Sequence, residues 1–368
     1  MAKEPASRKK SGASGKSASR GELERLDREL LKLFNQRARV ARDLMKQQPA
    51  DVENAAVDDT DTYLTRLVEQ NRGPLSGGCV RGVFRELISG ANALRQTTRV
   101  AFLGPAYSYS HVAALTRFGS SVEQVPVASI AAVFEEVNRG HAEFGLVPVE
   151  NSTDGRVADT LDMFTRLRVR ICGEVLLPIH HCLLGRCARS EILEVYSKVQ
   201  PLSQCRNWLA RHLPSARIVE VTSTSTAAQL AQDKPGAAAI ASRQAGIHYG
   251  LDLLAENIED NQDNVTRFAV IGESSAPRTG QDRMSLMFEV EHKPGALADA
   301  MNVFKRAELN LTWIESFPIA RPQGGYMFFV ELDGHEADAR IRKALAVLER
   351  KTLRLEVLGS YARGAQVE

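Results

Sequence analysis

The hydrophobic positions near the start of the chain repeat with the spacing of one long helix. Over residues 21–48, apolar side chains recur at alternating steps of three and four residues: Leu23, Leu26, Leu30, Leu33, Val40 and Leu44. Arg37 lies on this apolar seam, and Arg20 extends the same face backwards. Because a cation at a seam position is costly unless it meets an anion, Arg37 indicates either an interhelical salt bridge or a site for an anionic ligand inside a helical bundle.

Two shorter helices are predicted after this one. Residues 49–60 form a break, a short helix is expected over 61–70, and Ser76 can cap a third helix that runs to about residue 96. The all-helical unit over residues 21–97 is too thin to bury its apolar faces alone, which favours a dimer. Residues 1–20 are basic and poor in apolar side chains, so a disordered tail is expected there.

From residue 98 the pattern changes to alternating strands and helices. Short apolar runs predict strands at 99–103, 144–149, 174–185, 193–199, 217–221 and 236–241. Helices are predicted at 110–118, 129–140, 157–166, 203–213, 225–232 and 242–249. This alternation predicts an α/β architecture with mainly parallel sheets over residues 98–275, and the length suffices for two lobes with a cleft between them.

The C-terminal segment, residues 282–364, predicts a small α+β domain. A linker rich in Ser, Pro and Gly precedes it over residues 273–281. The pattern indicates strands at 284–290, 309–319, 326–332 and 353–361, a turn at 321–325, and helices from 294 to about 307 and at 336–350. The order βαββαβ is that of a ferredoxin-like sandwich.

Composition narrows the possible function classes. The 368-residue chain has 43% hydrophobic and 25% charged residues and a formal net charge of +2, which gives no indication of nucleic acid or an acidic membrane surface as a partner. No apolar run approaches the length of a membrane span. The five cysteines are odd in number and contain no Cys-x-x-Cys pair, which argues against disulfides or a zinc site and predicts a cytoplasmic protein with reduced thiols.

Two segments carry the candidate chemistry. Residues 149–157 and 264–268 are dense in hydroxyls and amides, and each lies where a strand gives way to a loop. Such a set can hold a small anionic substrate and supply a proton to it, and it contains no metal cluster and no glycine-rich nucleotide loop. Each segment also has a purely structural interpretation, as a helix cap or a strand-entry turn. Thr266 is the first candidate for a catalytic residue.

The middle of the chain resembles the prephenate dehydratase family in several motifs taken in order. Residues 102–111 resemble its first motif, with Tyr107-Ser108-Tyr109-Ser110 in place of the usual Gly-Thr-Phe-Ser. Residues 148–157 resemble the second motif, 264–268 the third, and 223–228 the hydroxyl-rich turn of the second lobe. The resemblance implies a fold like a periplasmic binding protein, with the active site between two α/β lobes.

The resemblance also implies roles for individual residues. Thr266 matches the family's essential threonine, with Asn151 and Ser152 as candidate catalytic partners. Substrate-binding roles are expected for Ser108, Tyr109, Ser110, Thr153, Thr224, Arg267 and Phe268. The implied reaction removes carbon dioxide and the ring hydroxyl from prephenate to give phenylpyruvate, and aromatisation drives it without a cofactor or a metal.

The N-terminal helices resemble the chorismate mutase domain often fused ahead of this dehydratase. Arg20 and Arg37 align with two of that family's substrate arginines. Other site positions depart from the family pattern, at Gln48, Thr60, Ala91 and Arg95. Acidic neighbours of Thr60 leave a shift of register open. The hypothesis is that this domain is a weak or inactive mutase for chorismate that still serves in dimerisation.

The C-terminal segment resembles the ACT regulatory domain. Its first effector motif is matched by Gly295, Ala296 and Leu297, and its second by Glu315 and Ser316. The usual arginine after Ser316 is Phe317 here, so a charged contact is lost. The resemblance implies that phenylalanine binds between paired ACT domains of a homodimer or tetramer and closes the dehydratase cleft. A purely structural ferredoxin-like domain is the alternative.

Taken together, the resemblance is to the bifunctional chorismate mutase/prephenate dehydratase family, and it covers nearly everything after residue 20. Two other functions stay open at this point. An arogenate dehydratase would differ only by an amine on its substrate, and no residue separates the two. A non-catalytic amino-acid sensor would have the same domains, but the presence of Thr266 argues against it.

Overall fold

The computed structural model describes residues 19–47, 55–319 and 325–364. The tail expected over residues 1–20 lies outside these ranges except for Ser19 and Arg20, and so does the turn expected at 321–325 except for Gly325. Among the described residues, no helix is long and apolar enough to cross a lipid bilayer.

Three helices form the N-terminal unit: α1 (Arg20–Gln47), α2 (Ala55–Gln70) and α3 (Gly77–Ala93). Ser76 caps α3 as predicted, since its hydroxyl accepts from the backbone N–H of Cys79 at 3.2 Å. Helix α2 begins six residues before the predicted start. No residue of α1 is buried, and its leucines stand on an exposed apolar face. The expectation that these helices cannot bury their faces alone agrees with this arrangement.

Helix α3 also packs against the next domain. The Glu86 carboxylate accepts from both the backbone N–H (3.0 Å) and the hydroxyl (2.6 Å) of Ser120. A second contact lies one helical turn further along α3, where the Ser121 N–H donates to the Ser89 hydroxyl at 3.1 Å. The helical unit is therefore attached to the α/β domain through one face of α3.

The α/β domain has two lobes. Lobe one contains one mixed sheet in the order β2-β1-β3-β11-β5, with a short β4 on β3. Its strands are β1 (Arg99–Leu103), β2 (Glu123–Val127), β3 (Phe144–Asn151), β4 (Gly155–Arg156), β5 (Arg170–Pro178) and β11 (Val265–Gly272). Its helices are α4 (Tyr109–Phe118), α5 (Ile130–Asn138) and α6 (Ala158–Arg166).

Lobe two is inserted between β5 and β11. Its sheet has the order β10-β6-β9-β7-β8. The strands are β6 (Cys182–Gly185), β7 (Glu194–Ser197), β8 (Arg217–Glu220), β9 (Ala237–Ala241) and β10 (Asp252–Ala255). The helices are α7 (Val199–Gln204), α8 (Arg206–His212), α9 (Thr224–Asp233) and α10 (Arg243–Tyr249).

The prediction of mainly parallel sheets was wrong. Strand β11 runs antiparallel to both β3 and β5, and β6 runs antiparallel to both β9 and β10. The physical reason is the insertion of lobe two, since the chain leaves lobe one after β5 and re-enters it through β11. The predicted strand 174–185 is two strands for the same reason, because residues 179–181 cross from one lobe to the other.

The C-terminal domain is a four-stranded antiparallel sheet in the order β13-β14-β12-β15. Its elements follow the predicted βαββαβ order: β12 (Asp282–Glu289), α11 (Ala296–Arg306), β13 (Leu311–Pro318), β14 (Tyr326–Asp333), α12 (Ala339–Glu349) and β15 (Arg354–Ala362). Both helices cover one face of the sheet, where Phe288, Phe304 and Val330 lie in a shared core.

The other face of this sheet packs on lobe one. Met327 and Phe329 of the C-terminal domain share a buried cluster with Val147 and Ala269 of lobe one. Strand β15 also lies against the edge strand β5. At Gly359 the two backbones approach so closely that an added Cβ would overlap the Ile171 carbonyl oxygen and lie 2.9 Å from its carbon.

Candidate active site

Thr266 and Asn151 meet at the end of two neighbouring strands of lobe one. They are register partners on β11 and β3, and the Asn151 Nδ2 donates to Thr266 Oγ1 at 2.8 Å. The other partner of Thr266, Leu177 on β5, lies in the core beneath α4, which places Thr266 on the α4 face of the sheet. Because Asn151 uses the Thr266 oxygen as an acceptor, the hydroxyl hydrogen of Thr266 remains available to a bound substrate.

The orientation of the Asn151 amide is set by its own backbone. Its Oδ1 accepts from the N–H groups of Thr153 (2.9 Å) and Asp154 (3.0 Å), which folds residues 151–154 into a tight turn. An amide oxygen accepts and an amide nitrogen donates, so these two bonds direct Nδ2 toward Thr266. The turn therefore places the amide nitrogen of Asn151, which donates, and not its oxygen against the Thr266 hydroxyl.

Ser152 fastens this turn to β11. Its hydroxyl donates to the carbonyl of Asp263 at 3.1 Å and accepts from the N–H of Val265 at 2.9 Å. Its own N–H donates to the Val265 carbonyl, also at 2.9 Å. These contacts use the hydroxyl as both donor and acceptor, so Ser152 is placed to hold the site together and not to supply a proton.

A polar chain behind Asn151 was not singled out from the sequence. Asn264 is only 1% exposed, accepts from Asn151 Nδ2 at 2.9 Å and donates to Gln204 Oε1 at 3.1 Å. The same Gln204 oxygen lies 2.8 Å from Nε2 of His181, and His181 Nδ1 lies 2.8 Å from the Tyr109 hydroxyl. This series of hydrogen-bonded side chains thus extends from Thr266 across both segments that connect the lobes.

The proton positions in this chain follow from its end groups. The Gln204 oxygen can only accept, so Nε2 of His181 carries the hydrogen, and the one hydrogen of the Tyr109 hydroxyl is shared between Nδ1 of His181 and the His180 carbonyl. Burial lowers the pKa of His181 and raises that of Tyr109, which keeps both groups neutral near pH 7. The His180–His181 pair, expected within a strand, instead lies at the crossover between the lobes.

Helix N-termini from both lobes approach each other in front of the sheet. Ser108 caps α4, and the first turn of α4 contains Ser110. In lobe two, α9 begins at Thr224, which is buried, and the Ser225 hydroxyl donates to the Ala106 carbonyl of lobe one at 2.6 Å. Unpaired N–H groups at such termini suit the carboxylates of a small acid.

The structure does not bring Arg267 and Phe268 into this group. Arg267 lies on the opposite face of β11, is 7% exposed, and contacts Glu331 of the C-terminal domain at 2.8 Å. Phe268 is 2% exposed within the core beneath α4. Tyr109 also has its hydroxyl engaged, since it lies 2.9 Å from the His180 carbonyl. Side-chain alternation along β11 explains the separation of Arg267 from Thr266.

A cavity of about 920 Å³ lies between α4 and α10. Tyr109, Pro178, Arg243 and Val265 are among its lining residues, whereas Thr266 and Asn151 are not. Among the residues described by the structure, no three His, Cys, Asp or Glu side chains are grouped to hold a metal ion.

The two candidate mutase arginines lie in different surroundings within one copy of the chain. Arg20 has a side chain that is 93% exposed and pairs with Glu24 at 3.5 Å. The Arg37 guanidinium carbon lies 6.0 Å from the centre of the Tyr63 ring on α2. Arg37 therefore faces a neighbouring helix, as its seam position predicted. Gln48 lies outside the described residues.

The two candidate effector motifs lie toward the same end of the C-terminal domain sheet, since Glu289 at the end of β12 and Phe317 of β13 both pair with Met327 of β14. Gly295 has φ +85° and precedes Ala296, the first residue of α11. Glu315 and Ser316 lie on the edge strand β13, where Arg156 of lobe one donates to the Glu315 carboxylate at 2.6 Å and to the Ser316 carbonyl at 3.0 Å. The second motif is thereby joined to the turn that carries Asn151.

The fold and the site together define a two-lobed enzyme with a helical domain before it and a small α+β domain docked behind the strand that carries Thr266. Family models match in the same order: chorismate mutase type II over residues 19–96, prephenate dehydratase over residues 100–276 and the ACT domain over residues 284–350. The chain belongs to the bifunctional chorismate mutase/prephenate dehydratase family, as its sequence predicted.

Relatives over the whole length support this assignment. A bifunctional chorismate mutase/prephenate dehydratase of Aquifex aeolicus is 40% identical over 350 residues, which is 94% of this chain and 97% of that protein. One from Pseudomonas aeruginosa is 40% identical over 354 residues, with the same two shares. The crystal structure of prephenate dehydratase in complex with L-Phe from Arthrobacter aurescens aligns with a TM-score of 0.68 and 35% identity, covering 72% of this chain and 90% of that one.

Proposed function

We propose that the chain converts prephenate to phenylpyruvate, water and carbon dioxide at the Thr266 site. The observation that carries this assignment is the Asn151–Thr266 hydrogen bond, which leaves the threonine hydrogen pointing away from its protein partner. The family membership agrees with it. The alternatives of an arogenate dehydratase and a non-catalytic amino-acid sensor are not favoured by the relatives.

The reaction balances without an added electron acceptor. Loss of carbon dioxide leaves its bonding electron pair in the ring, and that pair displaces the ring hydroxyl as the ring becomes aromatic. The leaving hydroxide takes one proton from the solvent and departs as water. Thr266 is a poor acid, so its role is to donate a hydrogen bond to the leaving oxygen, which Asn151 strengthens by polarising the same hydroxyl. No cofactor enters this scheme.

The carboxylates of the substrate are proposed to bind apart from Thr266, at the N-termini of two helices. The N-termini of α4 and α9 present backbone N–H groups and the side chains of Ser108, Ser110 and Thr224, and Thr153 lies in the turn beside Asn151. These four residues are the proposed substrate contacts. Ser152 and Tyr109 stabilise the site through the hydrogen bonds already described. Arg267 and Phe268 lie outside the site and do not contact the substrate in this proposal.

For the domain bounds we propose those that the sequence predicts. We assign the mutase-like helices to residues 21–97, the dehydratase to 98–275 and the ACT domain to 282–364. The dehydratase has the two lobes of a periplasmic-binding-protein-like fold, and the βαββαβ order of the last domain supports the ferredoxin-like assignment. A cytoplasmic location is proposed from the five cysteines, all of which are free.

A coupled assay tests both activities on the purified chain. Chorismate and prephenate are offered separately, with phenylpyruvate as the readout. Because chorismate must first be rearranged in the helical domain, and because its departures from the family include Ala91, we expect turnover of both substrates with chorismate as the slower one. Production of phenylpyruvate from neither substrate would contradict the proposed function.

A substitution of Arg37 is expected to affect the mutase activity of the chain and not its dehydratase activity. Replacing it with glutamine is expected to lower chorismate turnover by roughly tenfold to a hundredfold, the effect of losing a hydrogen bond to a charged group, and to leave prephenate turnover unchanged. Arg42, on the same helix and paired with Asp43 at 3.4 Å, provides the matched control as Arg42→Gln. Equal rates from both variants on chorismate would remove Arg37 from the mutase site.

We also propose that phenylalanine binds between paired ACT domains. Exposed apolar residues lie beside both motifs, with Leu297 36% and Ile314 47% exposed, and β13 is an edge strand open to a second copy. The exposed seam of α1 offers a further contact between copies. A homodimer, or a tetramer built from two such contacts, is the assembly that these surfaces support.

Calorimetry of phenylalanine binding tests the effector site. We expect binding in the wild type and weaker binding in Gly295→Ala, because a side chain at φ +85° is strained and displaces the backbone of the motif. Gly140→Ala is the matched control, since Gly140 has φ +69° and, like Gly295, open space around its Cβ position. No binding to the wild type at millimolar phenylalanine would exclude the effector role.

A further inference from the structure

Arg267 connects the catalytic strand to the C-terminal domain. It follows Thr266 on β11, but its side chain passes to the opposite face of the sheet and ends between two residues of that domain. Its Nη1 donates to the Glu331 carboxylate on β14 at 2.8 Å, and its guanidinium carbon lies 4.7 Å from the centre of the Trp313 ring on β13. A strand of the dehydratase is thereby held by two strands of its neighbour.

The same guanidinium also reaches the strand that carries Asn151. Its Nε and Nη2 each lie 3.3 Å from Oε2 of Glu150, which is the register partner of Arg267 on β3. The next pair along the ladder is Thr266 with Asn151. The buried Arg267 side chain therefore links the C-terminal domain to both β11 and β3. This link lies one residue pair along the ladder from the Asn151–Thr266 hydrogen bond.

The ladder is irregular at this place. Between Arg267 and Phe268 the pairing of β11 with β3 shifts by one residue, because Arg267 faces Glu150 whereas Phe268 faces Pro148. Such bulges redirect side chains next to active sites and depend on their surroundings to hold one register. The contacts of Arg267 with Glu150 and Glu331 fall directly beside this bulge, on one face of the sheet.

The charges around Arg267 make this arrangement sensitive to docking. Glu174 of β5 lies 3.6 Å from Arg267, and Arg283 of the C-terminal domain contacts the same Glu174 carboxylate at 2.7 Å. Glu331 and Glu174 are each 2% exposed in their side chains. A buried charge that loses its partner is far more costly than an exposed one, so the cluster favours one docked arrangement over partly separated ones.

We propose that Arg267 is a positioning residue, through which docking of the C-terminal domain sets the alignment of Thr266 with Asn151. The inference rests on the proposed dehydratase function and adds to it a dependence of turnover on an ion pair between two domains. Arg267 touches no substrate in this account. It acts through the bulge and through Glu150, so its influence falls on kcat and not on substrate affinity.

The test compares two isosteric changes at the same domain boundary. Glu331→Gln removes the charge that meets Arg267, and Glu336→Gln removes the charge that meets Arg170 at 2.7 Å elsewhere on this boundary. We expect Glu331→Gln to lower kcat for prephenate about tenfold with KM changed less than twofold, and Glu336→Gln to change neither by more than twofold. Hydrogen exchange over residues 264–268 should speed up in the first variant alone.

Several outcomes would overturn the inference. A folded Glu331→Gln protein with wild-type kcat and unchanged exchange over 264–268 removes the positioning role, as does an equal loss of kcat in both variants. If Glu331→Gln does not fold, Trp313→Phe gives the same comparison, because it reduces the ring over Arg267 without removing a charge. A wild type that does not turn over prephenate refutes the proposed function, and the exchange comparison then decides the inference separately.

Discussion

Replacing Thr266 with alanine is expected to lower kcat for prephenate by about 100-fold or more, the usual range for losing a positioned proton or hydrogen-bond donor. The hydroxyl oxygen accepts from Asn151 Nδ2, so the proposed function uses its hydrogen to donate to the substrate. The chain should remain folded, because Thr266 lies at a strand end and is only partly buried. Phenylpyruvate formation and a thermal unfolding curve measure the two effects separately.

Two further variants identify the hydroxyl as the cause. Thr266→Ser keeps the hydroxyl and should retain most of the activity, whereas Thr266→Val keeps the shape and should lose as much as alanine. Near-normal turnover by the valine variant would remove Thr266 from the reaction. It would leave the backbone N–H groups of α4 and α9 as the remaining donors.

Replacing Gly359 with alanine is expected to destabilise the chain by about 3 kcal/mol, the upper part of the range for overpacking a filled interior. An added Cβ would overlap the Ile171 carbonyl on β5. The obstacle is backbone, which cannot rotate away, so either β15 or β5 must shift. The free energy of unfolding from denaturant titration measures the effect.

Gly82→Ala is the control for that change. Gly82 is an internal residue of α3, and nothing lies within 4 Å of its Cβ position, so alanine there should be neutral or stabilising. Equal stability of the two variants would show that the backbones of β15 and β5 are not packed as closely as described. A selective loss in Gly359→Ala would identify the β5–β15 contact as a main attachment of the C-terminal domain.

The helices and the family were predictable from the sequence because their signals are local. The apolar steps along α1 and the Ser76 cap of α3 each depend on a few neighbouring residues. The order of the C-terminal domain was predictable for the same reason. The antiparallel course of β11 was not, because pairing over separations such as the 115 residues between Asn151 and Thr266 leaves no local pattern.

The structure brings together the residues at the centre of the candidate site and separates Arg267 from them. The hydroxyl-rich motifs identified Thr266 and Asn151, but a motif read as one unit also included Arg267, which strand alternation sends to the other face. Gln204 was missed because it lies in a helical segment with no unusual pattern, whereas the His180–His181 pair was interpreted as structural because it lies in the apolar run predicted as the strand 174–185. Their contact with Asn264 appears only when both connections between the lobes are placed side by side.

The insertion of lobe two has a consequence for how the chain is made. During synthesis β3 and β5 emerge first, then the whole of lobe two, and only afterwards β11, which must enter between β3 and β5. Lobe two is contiguous and can form on its own local contacts, whereas lobe one stays open at its centre until residue 272 is available. The strand that carries Thr266 is thus the last to join its sheet, and catalytic competence arises only after the rest of both lobes is in place.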